Sequence, residues 1–273
     1  MAEGYIHTYT ADEQARLVDQ AAVLERYVHP GMTFASGASV LEIGCGVGAQ
    51  MAVVLRRHPA VRVTGIDLAG VQLATARRVL ETPLRAGIAT LVQGSGLALP
   101  FAAESFDAVY LVWVLEHVGA AGVPLLREAA RVLRPGGRLW CTEVFNGGLR
   151  IAPESPALTA YWREFNALQR ELGGDPDVGV RLADLALAAG LEVEALDDVS
   201  AQLDARVRGL AARREFLRSW RELLLSGARE LESRGRVDPA LVAGMLDAFA
   251  RVASDPAGAF RYELRQLRAT RRG

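Results

Sequence analysis

Val40-Leu41-Glu42-Ile43-Gly44-Cys45-Gly46-Val47-Gly48 decides how this chain folds. A short apolar run ends in glycines at alternate positions, and helical spacing begins at Ala49. A buried strand, a glycine turn and a helix in that order let backbone approach a ligand closely at the strand's carboxyl end. The spacing is GxGxG, whereas a pyrophosphate-binding turn is spaced GxGxxG, and Glu42 lies just upstream. A carboxylate there disfavours a polyanion and favours a ligand with a cationic or hydrogen-bond-donating portion. Asp67 ends the second strand in Thr64-Gly65-Ile66-Asp67-Leu68 and is placed to bind both hydroxyls of a ribose. Taken singly, the glycines read as a tight turn and Asp67 as the cap of a helix near Gly70. Taken together and in order they imply adenosine and not phosphate.

On either side of this stretch, short apolar runs alternate with helical segments, the signature of a buried parallel sheet with crossover helices. Strands are expected near Val40–Ile43, Val61–Ile66, Ile88–Val92, Phe106–Val112 and Arg138–Val144, with helices near Ala49–Arg57, Val71–Leu84 and Val123–Leu133. Pro135-Gly136-Gly137 reads as a turn, and Asn146-Gly147-Gly148 opens an irregular stretch. Further helices are expected over Ser155–Leu172, Val178–Ala189, Ala201–Arg234 and Pro239–Val252, with a strand at Leu191–Leu196. Alternation from Phe260 through Tyr262, Leu264 and Leu267 reads as a terminal strand in preference to a short helix. Before the sheet, Leu17, Ala21, Leu24 and Val28 recur at helical spacing and stop at His29-Pro30-Gly31.

Composition excludes more than it names. With 273 residues and 51% hydrophobic content the chain is long enough for a packed α/β core. A net charge of -1 gives no global pull toward nucleic acid or an anionic membrane. The basic residues are all Arg; without Lys there is neither a Schiff base to pyridoxal phosphate nor a Gly-rich phosphate loop completed by Lys. Arg206, Arg208, Arg213, Arg214, Arg218 and Arg221, interleaved with Glu215 and Glu222, read as a solvated helix face ahead of an anion or nucleic-acid site. Only Cys45 and Cys141 could form a disulfide, and no signal peptide or membrane-spanning run is evident, so a cytoplasmic location is expected. His29 and His58 have no partner at metal-ligand spacing, and no metal is predicted.

The sequence resembles the class I S-adenosylmethionine-dependent methyltransferases. Glu42 to Gly48 looks like their first motif and Gly65-Ile66-Asp67 like their acidic second strand. Leu99-Pro100-Phe101 with Ser105-Phe106-Asp107, then Leu115-Glu116-His117 and Val132-Leu133-Arg134-Pro135-Gly136-Gly137, complete the series. The resemblance implies a Rossmann-like α/β fold with a seven-stranded, mostly parallel sheet, its last strand antiparallel, an N-terminal helical segment and a helical lid. It implies S-adenosyl-L-methionine as cofactor, held by Glu42, Gly44, Cys45, Gly46, Gln50, Asp67, Leu68, Gln72, Ser95, Gly96, Leu97, Val112, Trp113 and His117. One departure is Gln93-Gly94-Ser95-Gly96, where the family usually has Asp or Asn against the adenine amino group; Ser95 retains a hydrogen-bond acceptor.

Gly4-Tyr5-Ile6-His7-Thr8-Tyr9-Thr10 and Gly46-Val47-Gly48-Ala49-Gln50 further resemble a bacterial and archaeal subgroup similar to C-methyltransferases of prenyl and indole alkaloid biosynthesis. That likeness implies a small, largely apolar acceptor of specialised metabolism, with carbon ahead of oxygen or nitrogen. It also implies an N-terminal segment that closes over the site, from the same chain or from a second copy in a homo-oligomer, with neither nucleic acid nor membrane as partner. Candidate catalytic residues are Tyr9, His117, Glu116 and His7, against plainer roles as caps or solvated groups. Tyr5, Tyr9, Trp113, Tyr161, Trp162 and Phe165 could wall the acceptor, although core packing is the ordinary role of aromatics at helical spacing. Trp140 reads as core. The expected division is a cap over 1–35, a cofactor-binding core over 36–145, lid helices and sixth strand over 146–257, and a terminal strand over 258–273.

Overall fold

The computed structural model describes residues 10–206 and 210–273. It opens on α1 (Ala11–Val28), capped by Thr10, whose hydroxyl accepts from Glu13 N at 3.3 Å. There follow β1 (Ser39–Ile43), α2 (Ala49–Arg57), β2 (Arg62–Asp67), α3 (Gly70–Val79), α4 (Glu81–Arg85), β3 (Ala89–Gln93), β4 (Phe106–Val112), α5 (Leu115–Val118), α6 (Gly122–Val132) and β5 (Leu133–Ala152). The lid region supplies α7 (Pro156–Glu171), α8 (Leu182–Ala188), β6 (Leu191–Asp198), β7 (Ala201–Asp204), α9 (Leu210–Ser233) and α10 (Pro239–Ser254), and β8 (Ala259–Arg271) closes the chain. Among these residues no helix is long and apolar enough to cross a membrane.

One sheet runs β3-β2-β1-β4-β5-β8-β6, with β7 paired to β8. The strands from β3 to β5 are parallel, and β8 runs antiparallel to both β5 and β6. Val40, Leu41, Val109 and Leu111 are fully buried because helices cover both faces. Over one face lie α1, α2, α7, α9 and α10, and over the other α6 and α8. Trp140 is core, 1% exposed. Gln266 of β8 donates to Val28 O at 2.6 Å and to Thr142 Oγ1 at 2.8 Å, which ties the end of α1 to the sheet centre.

The Rossmann-like α/β architecture is as expected, with eight strands in place of seven. The extra strand, β7, falls where a helix was expected from Ala201: Ala201 and Leu203 are buried and Gln202 exposed, a period of two that pairs with β8. The turn expected at Pro135-Gly136-Gly137 lies within β5, where the pairing to β4 shifts register between Phe106 and Ala108 and Gly136 takes φ 74°. The stretch from Asn146 is likewise a bulge in a strand that continues to Ala152, because β8 pairs across it. The helix expected over Val71–Leu84 breaks at Leu80, so that Pro83 falls in the first turn of α4, where its missing N–H costs nothing.

One side chain contradicts its reading. Arg214, Arg218 and Arg221 are exposed, as a solvated face requires, but Arg213 is fully buried and donates to Gly258 O at 2.7 Å and Ala253 O at 2.9 Å. Its guanidinium closes the end of α10 and the turn into β8. Arg208 lies outside the described residues.

Candidate active site

The site forms at the carboxyl ends of β1, β2 and β4. Glu42 is 2% exposed and accepts from Tyr110 Oη at 2.7 Å. Burial pushes its carboxyl up to about 8; the Tyr110 bond pulls the other way and the nearby Asp67 charge adds to the rise. Beyond it the chain turns through three left-handed glycines, of which Gly44 and Gly46 serve different ends. A Cβ on Gly44 (φ 73°) would sit 2.6 Å from Val114 Cγ2, so that glycine permits close packing. A Cβ on Gly46 (φ 49°) would meet nothing within 4 Å: the backbone there faces open space, as a ligand cradle requires. Gly46 N donates to Asp67 Oδ2 and Ala69 N to Asp67 Oδ1, each at 2.8 Å, which fixes the acid at the cradle's rim. Burial raises the Asp67 pKa, opposed by these two bonds.

The loop after β4 is held from below. Trp113 has φ 57°, a left-handed backbone that costs a non-glycine residue roughly 1–3 kcal/mol. Its N–H donates to Thr142 O at 3.0 Å. The next N–H groups, of Val114, Leu115 and Glu116, donate to the buried Glu143 at 2.8, 2.6 and 3.3 Å. Burial and the neighbouring Glu116 raise the Glu143 pKa. Glu116 also accepts from Gln169 Nε2 at 2.8 Å, and its Oε1 lies 3.8 Å from His117 Nε2.

Across the cavity stands an apolar wall. Trp162 and Phe165 of α7 stack at 5.3 Å with 16° between planes, and Leu223 of α9 and Tyr262 of β8 continue the surface. Tyr262 Oη donates to Asn146 Oδ1 at 3.0 Å. Arg16, Leu17 and Gln20 of α1 complete the enclosure, with Arg16 committed to Glu13 at 2.7 and 2.5 Å and to Gln20 at 3.0 Å.

One cavity thus gathers Glu42, Gly44, Cys45, Gly46, Gln50, Asp67, Gln72, Val112, Trp113, Glu116 and His117 with Trp162 and Phe165. Gln50 is pinned by His29 at 2.6 Å and Gln72 by Gln14 at 3.0 Å, so α1 braces the cofactor side. Leu68, Ser95, Gly96 and Leu97 lie outside this lining, Leu68 being 61% and Leu97 45% exposed. Ser95 Oγ accepts from Leu97 N at 3.1 Å. Tyr161 also lies outside this lining: it is fully buried, and its hydroxyl donates to Leu224 O at 2.6 Å to bind α7 to α9. Tyr5, His7 and Tyr9 lie outside the described residues. Sequence reasoning missed Arg16, Gln20, Asn146, Leu223 and Tyr262; for Tyr262 the alternation with Phe260 and Leu264 gave the face but not the cavity.

The methyltransferase domain family matches residues 41–141, from β1 into β5. The 27-O-demethylrifamycin SV methyltransferase of Amycolatopsis mediterranei is 30% identical over 204 residues, which cover 72% of this chain and 70% of that protein. A ubiquinone/menaquinone biosynthesis C-methyltransferase of Paracoccus denitrificans is 37% identical over 108 residues, 39% of this chain and 42% of that one. The chain spans between half and two thirds of the length of the fungal O-methyltransferases it matches. Among solved structures, the [4+2]-cyclase SpnF superposes with TM-score 0.55 and 25% identity over 94% of this chain and 80% of its own. The glycine turn, the acid that ends β2 and the loop after β4 fall inside the matched domain, and the chain belongs to the class I S-adenosylmethionine-dependent methyltransferases.

Proposed function

We propose that this protein transfers a methyl group from S-adenosylmethionine to a small, largely apolar acceptor, with an electron-rich carbon ahead of oxygen or nitrogen. The observation that carries the reading is a single cavity with two unlike halves, a glycine cradle rimmed by Asp67 and a wall made of Trp113, Trp162 and Phe165. The open face of Gly46 and the fixed carboxylate of Asp67 fit an adenosine. When bound, the cofactor supplies a methyl already activated on a sulfonium, so the protein's task is alignment and exclusion of water. Asp67 would hold the ribose hydroxyls, and Glu42 would favour the cationic end of the methionine moiety. The aromatic faces exclude water and stabilise positive charge on the sulfonium or on a carbon that gains the methyl. His117 and Glu116 border the same space and would take the proton that a methylated carbon or hydroxyl loses. Relatives named for oxygen and for carbon methylation both match, so the preference for carbon rests on the resemblance of Gly4–Thr10 and Gly46–Gln50 to the C-methyltransferase subgroup.

A second reading is supported by one comparison. A solved protein of this fold, 25% identical to this chain, is named a [4+2]-cyclase, so the cavity could promote reaction of an apolar ligand without spending the methyl. Purified protein incubated with methyl-labelled S-adenosylmethionine and a panel of hydroxylated arenes, indoles and prenylated alcohols separates the two. Label in a product, with one S-adenosylhomocysteine formed per methyl, is the expected result. Cofactor binding with no label transferred to any member favours the second reading, and no cofactor binding contradicts both.

A further inference from the structure

We infer that His29 is a positioning residue for the cofactor: it holds the Gln50 amide so that its two N–H groups are left to the cavity and receive the carboxylate of the methionine moiety. This rests on the cofactor placement proposed above and supplies a partner for the one charge of the cofactor that placement leaves unanswered. His29 follows α1, is 1% exposed and lies outside the cavity lining. Its backbone is fixed, its N–H donating to Glu25 O and its carbonyl accepting from Met32 N, each at 3.0 Å. Burial lowers its pKa, so at neutral pH the ring is uncharged, with a single N–H to give. Nε2 lies 2.6 Å from Gln50 Oε1, an oxygen that can only accept, so Nε2 is the nitrogen that carries the proton.

Gln50 is the second residue of α2, is 9% exposed and lines the cavity with Gly44, Gly46 and Ala49. With its oxygen taken by His29, its Nε2 carries two donors that no described residue accepts, and that atom is not sealed from solvent. A free glutamine amide can turn either end to a ligand; this one offers nitrogen alone. The first turn of α2 adds to the same corner, since no side chain caps it and its N–H groups form the positive end of the helix. An anionic group fits there. The cofactor brings one, the carboxylate of its methionine moiety, while Asp67 would answer the ribose and Glu42 the ammonium. The charged groups elsewhere on the wall do not compete for it: Glu42, Asp67 and Glu116 are acids, and Arg16 is engaged with Glu13 and Gln20.

Calorimetry compares three ligands: S-adenosylhomocysteine; S-adenosyl-3-thiopropylamine, which differs from it only in lacking the carboxylate; and 5′-methylthioadenosine, which lacks the amino acid end altogether. The native protein is expected to bind S-adenosylhomocysteine about tenfold tighter than the thiopropylamine, or more, the worth of charge-assisted hydrogen bonds. His29→Phe keeps a buried ring without an N–H; it should cut that preference about threefold or more and leave the other two ligands within about twofold of native. His29→Gln, with an amide nitrogen near the place of Nε2, should restore the preference. Gln50→Leu removes both donors and carries the same prediction should circular dichroism show that His29→Phe does not fold. The inference is overturned if the native protein shows no preference for the carboxylate, or if the preference survives in His29→Phe or Gln50→Leu. It is overturned equally if a folded variant weakens all three ligands alike, the mark of a purely structural role. Native protein that binds none of the three would be a different failure, of the adenosine placement and of this inference with it.

Discussion

Glu42 occupies a place where charge is expensive. It is enclosed between β1 and β4, its one side-chain bond comes from Tyr110, and its nearest charged neighbour of consequence is another acid, Asp67. In the folded protein its carboxyl is pushed up to about 8, above the 4.5 of an unperturbed carboxyl. Between those values the folded state holds a proton that the unfolded state has released. The resulting stability is fully present below about 4.5 and is lost as pH rises through about 8, by about 1.4 kcal/mol per pH unit for one such group. Urea titrations from pH 5 to 8 should show a shallower loss for Glu42→Gln than for the native protein, and identical slopes would contradict the assignment. Glu42, Asp67 and Trp113 were legible in the sequence because each sits at the end of a strand whose burial the apolar run declares. Tyr262 and Asn146 were not, since 116 residues separate them and only the pairing of β8 with β5 brings them together.

At the scale of elements, periodicity told which segments are helix and strand and was silent on what lies beneath them. In α9 the arginines alternate with acids in the manner of a solvated face, yet Arg213 turns inward to carbonyls 40 and 45 residues further on. Replacing it with methionine keeps the volume and leaves both carbonyls without their partner, which should cost roughly 1–3 kcal/mol. Arg214→Ala, at an exposed position of the same helix, should change stability by about 0.5 kcal/mol or less. Denaturant midpoints check the pair, and equal midpoints would show that the buried guanidinium contributes nothing. The strand β7 escaped notice for a similar reason, because its four residues carry too short an alternation to stand out before a long helical pattern. The bulges in β5 read as a turn and an irregular stretch because glycine marks both, and only the partner strands, β4 at the first and β8 at the second, show that pairing resumes beyond them.

For the whole molecule, the two halves of the cavity differ in how the chain assembles them. The cofactor half comes from consecutive strand ends of a parallel sheet, so order along the sequence is order in space and the motifs could be read directly. The half proposed for the acceptor is gathered from α1, α7, α9 and β8, over more than 240 positions of sequence, and no local pattern announces it. In the proposed mode of cofactor binding, Asp67 grips an adenosine ribose beside the Gly46 cradle. Calorimetric titration of S-adenosylhomocysteine into the native protein and into Asp67→Ala tests this most directly. A loss of ~1.5–3 kcal/mol in binding free energy is predicted, the worth of charge-assisted hydrogen bonds to the ribose hydroxyls. Equal affinity in the two proteins would contradict it.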